Sequence, residues 1–461
     1  MNFGGIYLFF VFLSFFQLLY LYKRFKDQHA SFFAPSFLFF IFSIFYFCVS
    51  PLLLDYFDYK MMFSSIRLNH DDYLLTWSVL NFVGLSLVML VSKLKIGFRP
   101  KGVWKFSGRM FVLWWLAFSF ASFFLQVWVY SHFGGVSGYV NTYLSGSQAS
   151  VFKGYGIVFM LSEAFPLIFI IGLGYFMSAG NLSKKFMLPV LIVYAILLIF
   201  FGGLRGSRSM FVFRMFAGVG VLHYFGLKIN RGMLFFGLIF LVAFMFFYKV
   251  IYKSKAFAHP SGLESVTHVD EGKILQFILI TDFSRVDIQT LLIHQLEKKD
   301  FTNVLGFGRT YLVAFNVLIP TVVYKLILGR SKPPNKTLES SNIILGEGSF
   351  SSGRRTSYVH GLLGEGLLNF GIIGSFLPFL FFGAYIKYVN SYFNNISPND
   401  SRVILLPLFA LSILVLLQGD FDNFIFFLMN YSFLPLCLIF LSSRKLKCAR
   451  HATTRLLPRR G

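Results

Sequence analysis

Apolar runs of roughly 16 to 25 residues recur along this chain, the length at which a helix crosses a ~30 Å hydrocarbon core. A water-soluble domain cannot hide so much apolar surface: of 461 residues, 56% are hydrophobic and 20% aromatic, against 13% charged. The class that follows is an all-α polytopic membrane protein. Spans are expected near 4–22, 32–54, 72–92, 110–131, 154–178, 187–203, 210–226, 232–252, 359–386, 403–418 and 424–442, eleven in all.

Charge then sets the topology. Alternate connections collect Lys23, Arg24 and Lys26; Lys93, Lys95, Arg99, Lys101, Lys105 and Arg109; Lys184 and Lys185; and a basic tail over 443–461. The other set is poor in Lys and Arg, so the positive-inside rule places the tail in the cytoplasm and the N-terminus outside. A formal charge of +23 is thereby accounted for by topology, with no solvated basic domain for nucleic acid. The first apolar run lacks a preceding positive residue and a following cleavage site, so it is expected to stay in the membrane. Cys48 and Cys437 fall inside apolar runs and Cys448 in the tail, which gives neither a disulfide nor a paired-cysteine metal site.

This layout divides the chain into eight spans over 1–252, a large outer loop over 253–358, three spans over 359–442 and the basic tail. Within the loop, 274–296 and 311–328 mix apolar and polar residues and read as helices lying on, or dipping into, the interface.

Three constellations could carry chemistry. The turn 202–209, GGLRGSRS, with Arg214 one turn into the next helix, places arginines where topology disfavours them. Outward arginines at span ends suit an anion, their planar forks matching phosphate and the glycines admitting backbone N–H groups. Snorkelling to lipid headgroups is the plainer alternative. The second constellation, 346–374, brings paired Arg354 and Arg355 together with His360 and Glu365 as an apolar helix begins. His360 could be a general base, or a helix-start residue. Glu365 could act with it, or sit comfortably in the first turns of a helix. Third come Asp420 and Asp422 in a tight outer loop, candidates for sugar hydroxyls or a cation, or plain span terminators. Tyr139 and Asn141, in the loop 132–153, also suit carbohydrate. Glu163, inside the fifth span, reads best as the buried partner of an arginine. No H-E-x-x-H, Walker loop or G-x-S-x-G occurs, so neither a metal nor a nucleotide cofactor is expected.

At these residues the chain resembles the polymerases of O-antigen and capsular polysaccharide, the Wzy type, and the superfamily that includes the O-antigen ligases. The likeness lies in LRGSR at 204–208, in the loop from Ile319 and Pro320 through Lys332, Pro333 and Pro334, and in the run from His360 through Gly364, Glu365 and Gly366 to Asn369, Phe370, Gly371 and Gly374. Arg355 and Gly366 also fit a loose pattern of arginine, ten residues and glycine. The resemblance implies a GT-C-like architecture and a metal-independent, inverting glycosyl transfer at the outer face of a bacterial cytoplasmic membrane. Its substrates would be undecaprenyl-pyrophosphate-linked oligosaccharides among membrane lipids, with a chain-length regulator and a flippase as partners. Arg205, Arg208, Arg354, Arg355 and Arg214 would hold pyrophosphate, and His360 or Glu365 would take the acceptor proton. An O-antigen ligase would share these parts, and a flippase or secondary transporter would share the many spans. Transport usually brings internal repeats and midplane charges, which are not evident here.

Overall fold

The computed structural model describes residues 5–25, 33–57, 68–95, 100–144, 156–205, 208–227, 284–297, 306–316 and 358–446, with single positions between 232 and 329. The chain is a mostly helical, multi-pass membrane protein. Among the described residues seven helices are long and apolar enough to span: α1 (Ile6–Phe25), α2 (Pro35–Tyr56), α3 (Asp71–Lys93), α4 (Gly108–His132), α6 (Gly156–Ser178), α13 (Ser401–Gln418) and α14 (Phe421–Ser442). The other helices among the described residues are α5 (Gly135–Leu144), α7 (Met187–Phe200), α8 (Arg208–Tyr224), α9 (Val286–Glu297), α10 (Arg309–Asn316), α11 (Gly361–Gly374) and α12 (Leu377–Asn395).

The bundle is organised around α13, whose residues from Val403 to Leu417 are buried almost without interruption. A helix apolar on every side belongs at the centre, and α2, α8, α11 and α12 surround it. By contrast α4 shows Leu113, Phe120, Phe124 and Trp128 on its outer face, as a helix at the lipid boundary does. Lipid is as apolar as a leucine side chain, so close approach rather than hydrophobic expulsion holds such helices together. Gly84 of α3 and Gly383 of α12 allow it: a Cβ on Gly84 would meet the Phe379 ring at 2.7 Å.

One face carries a two-stranded antiparallel ribbon, β1 (Val103–Phe106) with β2 (Ser443–Leu446), in the register Lys105 to Arg444. Asp400 locks this end, accepting from the Trp104 N–H at 3.3 Å and from Arg402 Nη2 at 2.6 Å. The ribbon places two of the expected basic connections, before α4 and after α14, on the same face of the bundle.

The expected ninth span, 359–386, is two helices. Gly371 breaks it with φ 66° and ψ −167°, and Pro378 opens the next helix. The loop helix expected over 274–296 is described as α9, which does not lie on the surface: Val286 to Ile293 are all buried, against α3 and α11. The span expected over 232–252, most of the segment 253–358 expected as an outer loop and the tail beyond 446 lie outside the described residues.

Candidate functional site

The site is built where α11 begins. Gly361 has φ 71°, and a Cβ there would stand 2.7 Å from the Tyr46 hydroxyl, so only glycine lets the chain turn into the helix at this point. The freed N–H groups of His360 and Gly361 donate to Asp420 Oδ1 at 2.8 and 3.0 Å. Asp420 itself immediately precedes α14, whose first N–H, that of Phe421, donates to Glu365 Oε2 at 2.7 Å. Two helix starts, both electropositive, are thus each capped by a carboxylate from the other. The His360 imidazole completes the group, with Nδ1 3.4 Å from Asp420 Oδ2. His360 and Asp420 are 1% exposed and Glu365 is 5% exposed.

The second oxygen of Glu365 accepts from the Thr310 hydroxyl at 2.6 Å, and Asn369 Nδ2 donates to Thr310 Oγ1 at 2.7 Å. Helix α10, from the segment expected to form the outer loop, is thereby fastened to α11, and the backbone agrees: the Phe307 N–H donates to the Asn369 carbonyl at 2.9 Å. On the other side Gln289 of α9 donates to the His360 carbonyl at 2.8 Å and to the Tyr46 hydroxyl at 2.5 Å, while Trp77 Nε1 donates to Gln289 Oε1 at 2.7 Å. Arg285 reaches the Gln418 carbonyl at 3.2 Å from a backbone with φ 79°, a strained conformation for a residue with a Cβ. Tyr311 stacks on Phe370 and meets Phe421 edge-on. Burial, then the Glu365 and Asp420 charges, hold its hydroxyl proton well above the usual tyrosine range.

No family model, curated protein or solved structure matches this chain. The site therefore has to be read from its own chemistry.

Of the residues singled out in the sequence, His360, Glu365 and Asp420 come together. Asp422 is half-buried in the first turn of α14. Tyr139 is buried among Tyr130, Phe133 and Phe159, whereas Asn141 is exposed on α5. Arg354 and Arg355 lie outside the described residues. Arg205 ends a 3-10 turn and Arg208 opens α8, and their side chains lie outside the described part of the structure.

Arg214 is placed differently from the outward anion ligand expected. It is 4% exposed, pairs with Glu163 at 2.8 Å, donates to the Phe201 carbonyl at 2.6 Å and lies over the Tyr431 ring at 5.3 Å. Gly202, at φ 120°, passes so close that a Cβ would meet Arg214 Nη1 at 2.4 Å. The arginine described next to the start of α11 is Arg285, with Arg309 exposed at the start of α10.

Thr310, Asn369, Gln289 and Tyr46 were not legible as site residues. Their partners are dozens to hundreds of positions away, and only Asn369 lies within the glycine-rich run. Among the described residues, no group of three or more His, Cys, Asp or Glu could hold a metal ion.

Proposed function

We propose that this protein is a membrane-embedded glycosyltransferase that lengthens lipid-pyrophosphate-linked glycans, joining repeat units at the outer face of a bacterial cytoplasmic membrane. The observation that carries the reading is the gathering of His360, Asp420, Glu365 and Arg285 at the start of α11, beside helices contributed by the large loop.

In the reaction proposed, the bond between the sugar C1 and the pyrophosphate oxygen breaks as the acceptor hydroxyl oxygen attacks C1 from the opposite face. The acceptor proton goes to a base and the electron pair leaves with the pyrophosphate. His360 is the better base of the two expected. Both Glu365 oxygens are already engaged as hydrogen-bond acceptors, whereas the His360 ring stands against Asp420 through Nδ1, which orients it for proton transfer at its other nitrogen. Arg285 and Arg309, with the arginines of 204–208 and 354–355, would supply fixed positive charge to the departing pyrophosphate. The GT-C-like architecture and the chain-length and flippase partners belong to the same proposal.

The interrupted helix α11 and the buried carboxylates Glu365 and Asp420 at its start also favour a second reading, a secondary transporter, since broken helices at ion-binding sites are common there. A deletion strain separates the two. Loss of polymerase leaves surface glycan of a single repeat unit, restored by the wild-type gene but not by His360→Ala at equal membrane level. A ladder of unchanged length would remove the polymerase reading, and full-length polymer retained on the lipid carrier would point to ligation.

A further inference from the structure

A second polar region lies away from this site, between α4, α6 and α14. Ser119, Ser122 and Gln126 recur at helical spacing along one face of α4, and all are buried. That face meets α6, where Trp115 Nε1 donates to the Ile168 carbonyl at 3.0 Å. Helix α14 contributes a π turn, Leu428–Ser432, which packs on the first turns of α6, Gly156–Ser162, where α4 also packs, and carries buried Asn430 and Ser432. Ser119 Oγ, Gln126 Oε1, both amide atoms of Asn430 and Ser432 Oγ have no hydrogen-bond partner among the described residues. The Glu163 and Arg214 pair closes one end of the region, through Ser162 on α6 and Tyr431 on α14.

Unpaired amides in the interior of a bundle are costly, and a π turn concentrates them where two helices already converge. The chemistry of the group selects its ligand. A cation would want acceptors alone and an anion donors alone, but an amide N–H₂, two amide oxygens and two hydroxyls present both. Water, with about two to four hydrogen bonds per buried molecule, matches such a mixture. We propose that this seam is a hydrated crevice, a binding site for a short file of water inside the membrane domain that reaches the Glu163 and Arg214 pair.

The test uses the full chain in proteoliposomes with Cys48, Cys437 and Cys448 replaced by alanine. Single Ser432→Cys and Ser119→Cys variants are exposed to silver nitrate, each thiol exchanging its proton for silver, and the remaining thiols are titrated with maleimide after denaturation. Phe120→Cys, on the lipid-facing side of α4, is the control. Because hydrated silver ions do not enter hydrocarbon, the seam thiols should be blocked about tenfold faster than the control or more. Equal or slower blocking overturns the proposal. Asn430→Leu gives an independent reading: its Tm falls if the amide anchors water and rises if the seam is dry.

Discussion

Glu365 and Asp420 each cap the helix to which the other belongs. Glu365 of α11 accepts the N–H of Phe421, the first residue of α14, and Asp420 accepts the N–H groups that lead into α11. Neither helix can start in its place without the other, because each carboxylate takes up backbone donors that the other helix start leaves open. The same two contacts therefore hold the fold and set the electrostatics around His360.

Asp420→Ala should accordingly be a stability variant first. It orphans two buried N–H groups at about 1–3 kcal/mol each, so a loss of a few kcal/mol is expected in denaturant unfolding of the purified protein. Asp420→Asn keeps an acceptor at Oδ1 and should lose much less stability. The glycan transfer proposed for the protein should still fall, because the carboxylate beside His360 Nδ1 is gone.

The buried pair gives a second prediction. Arg214→Met alone leaves the Glu163 carboxylate in the bundle without its cation, at about 3–5 kcal/mol, whereas Arg214→Met with Glu163→Leu should recover most of that loss. Thermal unfolding of both variants checks this. Equal losses would mean that the two charges are not coupled.

Glu163 shows what a single sequence can carry. A carboxylate inside an apolar run must find a cation, and that much follows from the cost of burying charge. Its partner is 51 positions away, and Arg214 stood in the sequence as one of several arginines near a span end. Seven of the eleven expected spans were legible from run length, because lipid enforces it. The break in α11 was written in Gly371, Gly374 and Pro378, yet an apolar run across them hid it. The links of Gln289 to Tyr46 and Trp77, and of Thr310 to Glu365, had no local signal at all, since they depend on which helices become neighbours.

Gly361→Ala combines a left-handed backbone with a contact against the Tyr46 hydroxyl. A loss of about 1–3 kcal/mol is expected from the backbone conformation, with more from the contact. Adding Tyr46→Phe removes the oxygen but not the backbone penalty. The double variant should therefore regain part of the loss, measured as Tm.

Tyr311 predicts a pH dependence. Its folded-state pKa is raised by burial and by Glu365 and Asp420, so its contribution is fully present below the ordinary tyrosine pKa of about 10 and declines as pH rises above it. The wild type should lose more Tm between pH 8 and pH 11 than Tyr311→Phe, which keeps the ring stacked on Phe370 without the titrating group. Parallel curves would show that the hydroxyl proton is not held by the site.

Arg285 is held at a positive φ and faces the start of α11. Arg285→Ala should slow transfer by more than tenfold, and Arg285→Lys should restore only part of it, because the guanidinium fork presents paired donors that an ammonium lacks. Rates on purified protein, with Tm confirming the fold, decide this.

The most direct measurement is reconstitution: the purified chain in liposomes, given a polyprenyl-pyrophosphate-linked oligosaccharide with no divalent metal added, and its products resolved by size. A ladder of lengthened glycans, lost in His360→Ala and Glu365→Gln while both variants melt as folded proteins, is the predicted result. Recovery of the substrate unlengthened by the wild-type protein, under conditions in which it is folded and the substrate is bound, would contradict the account.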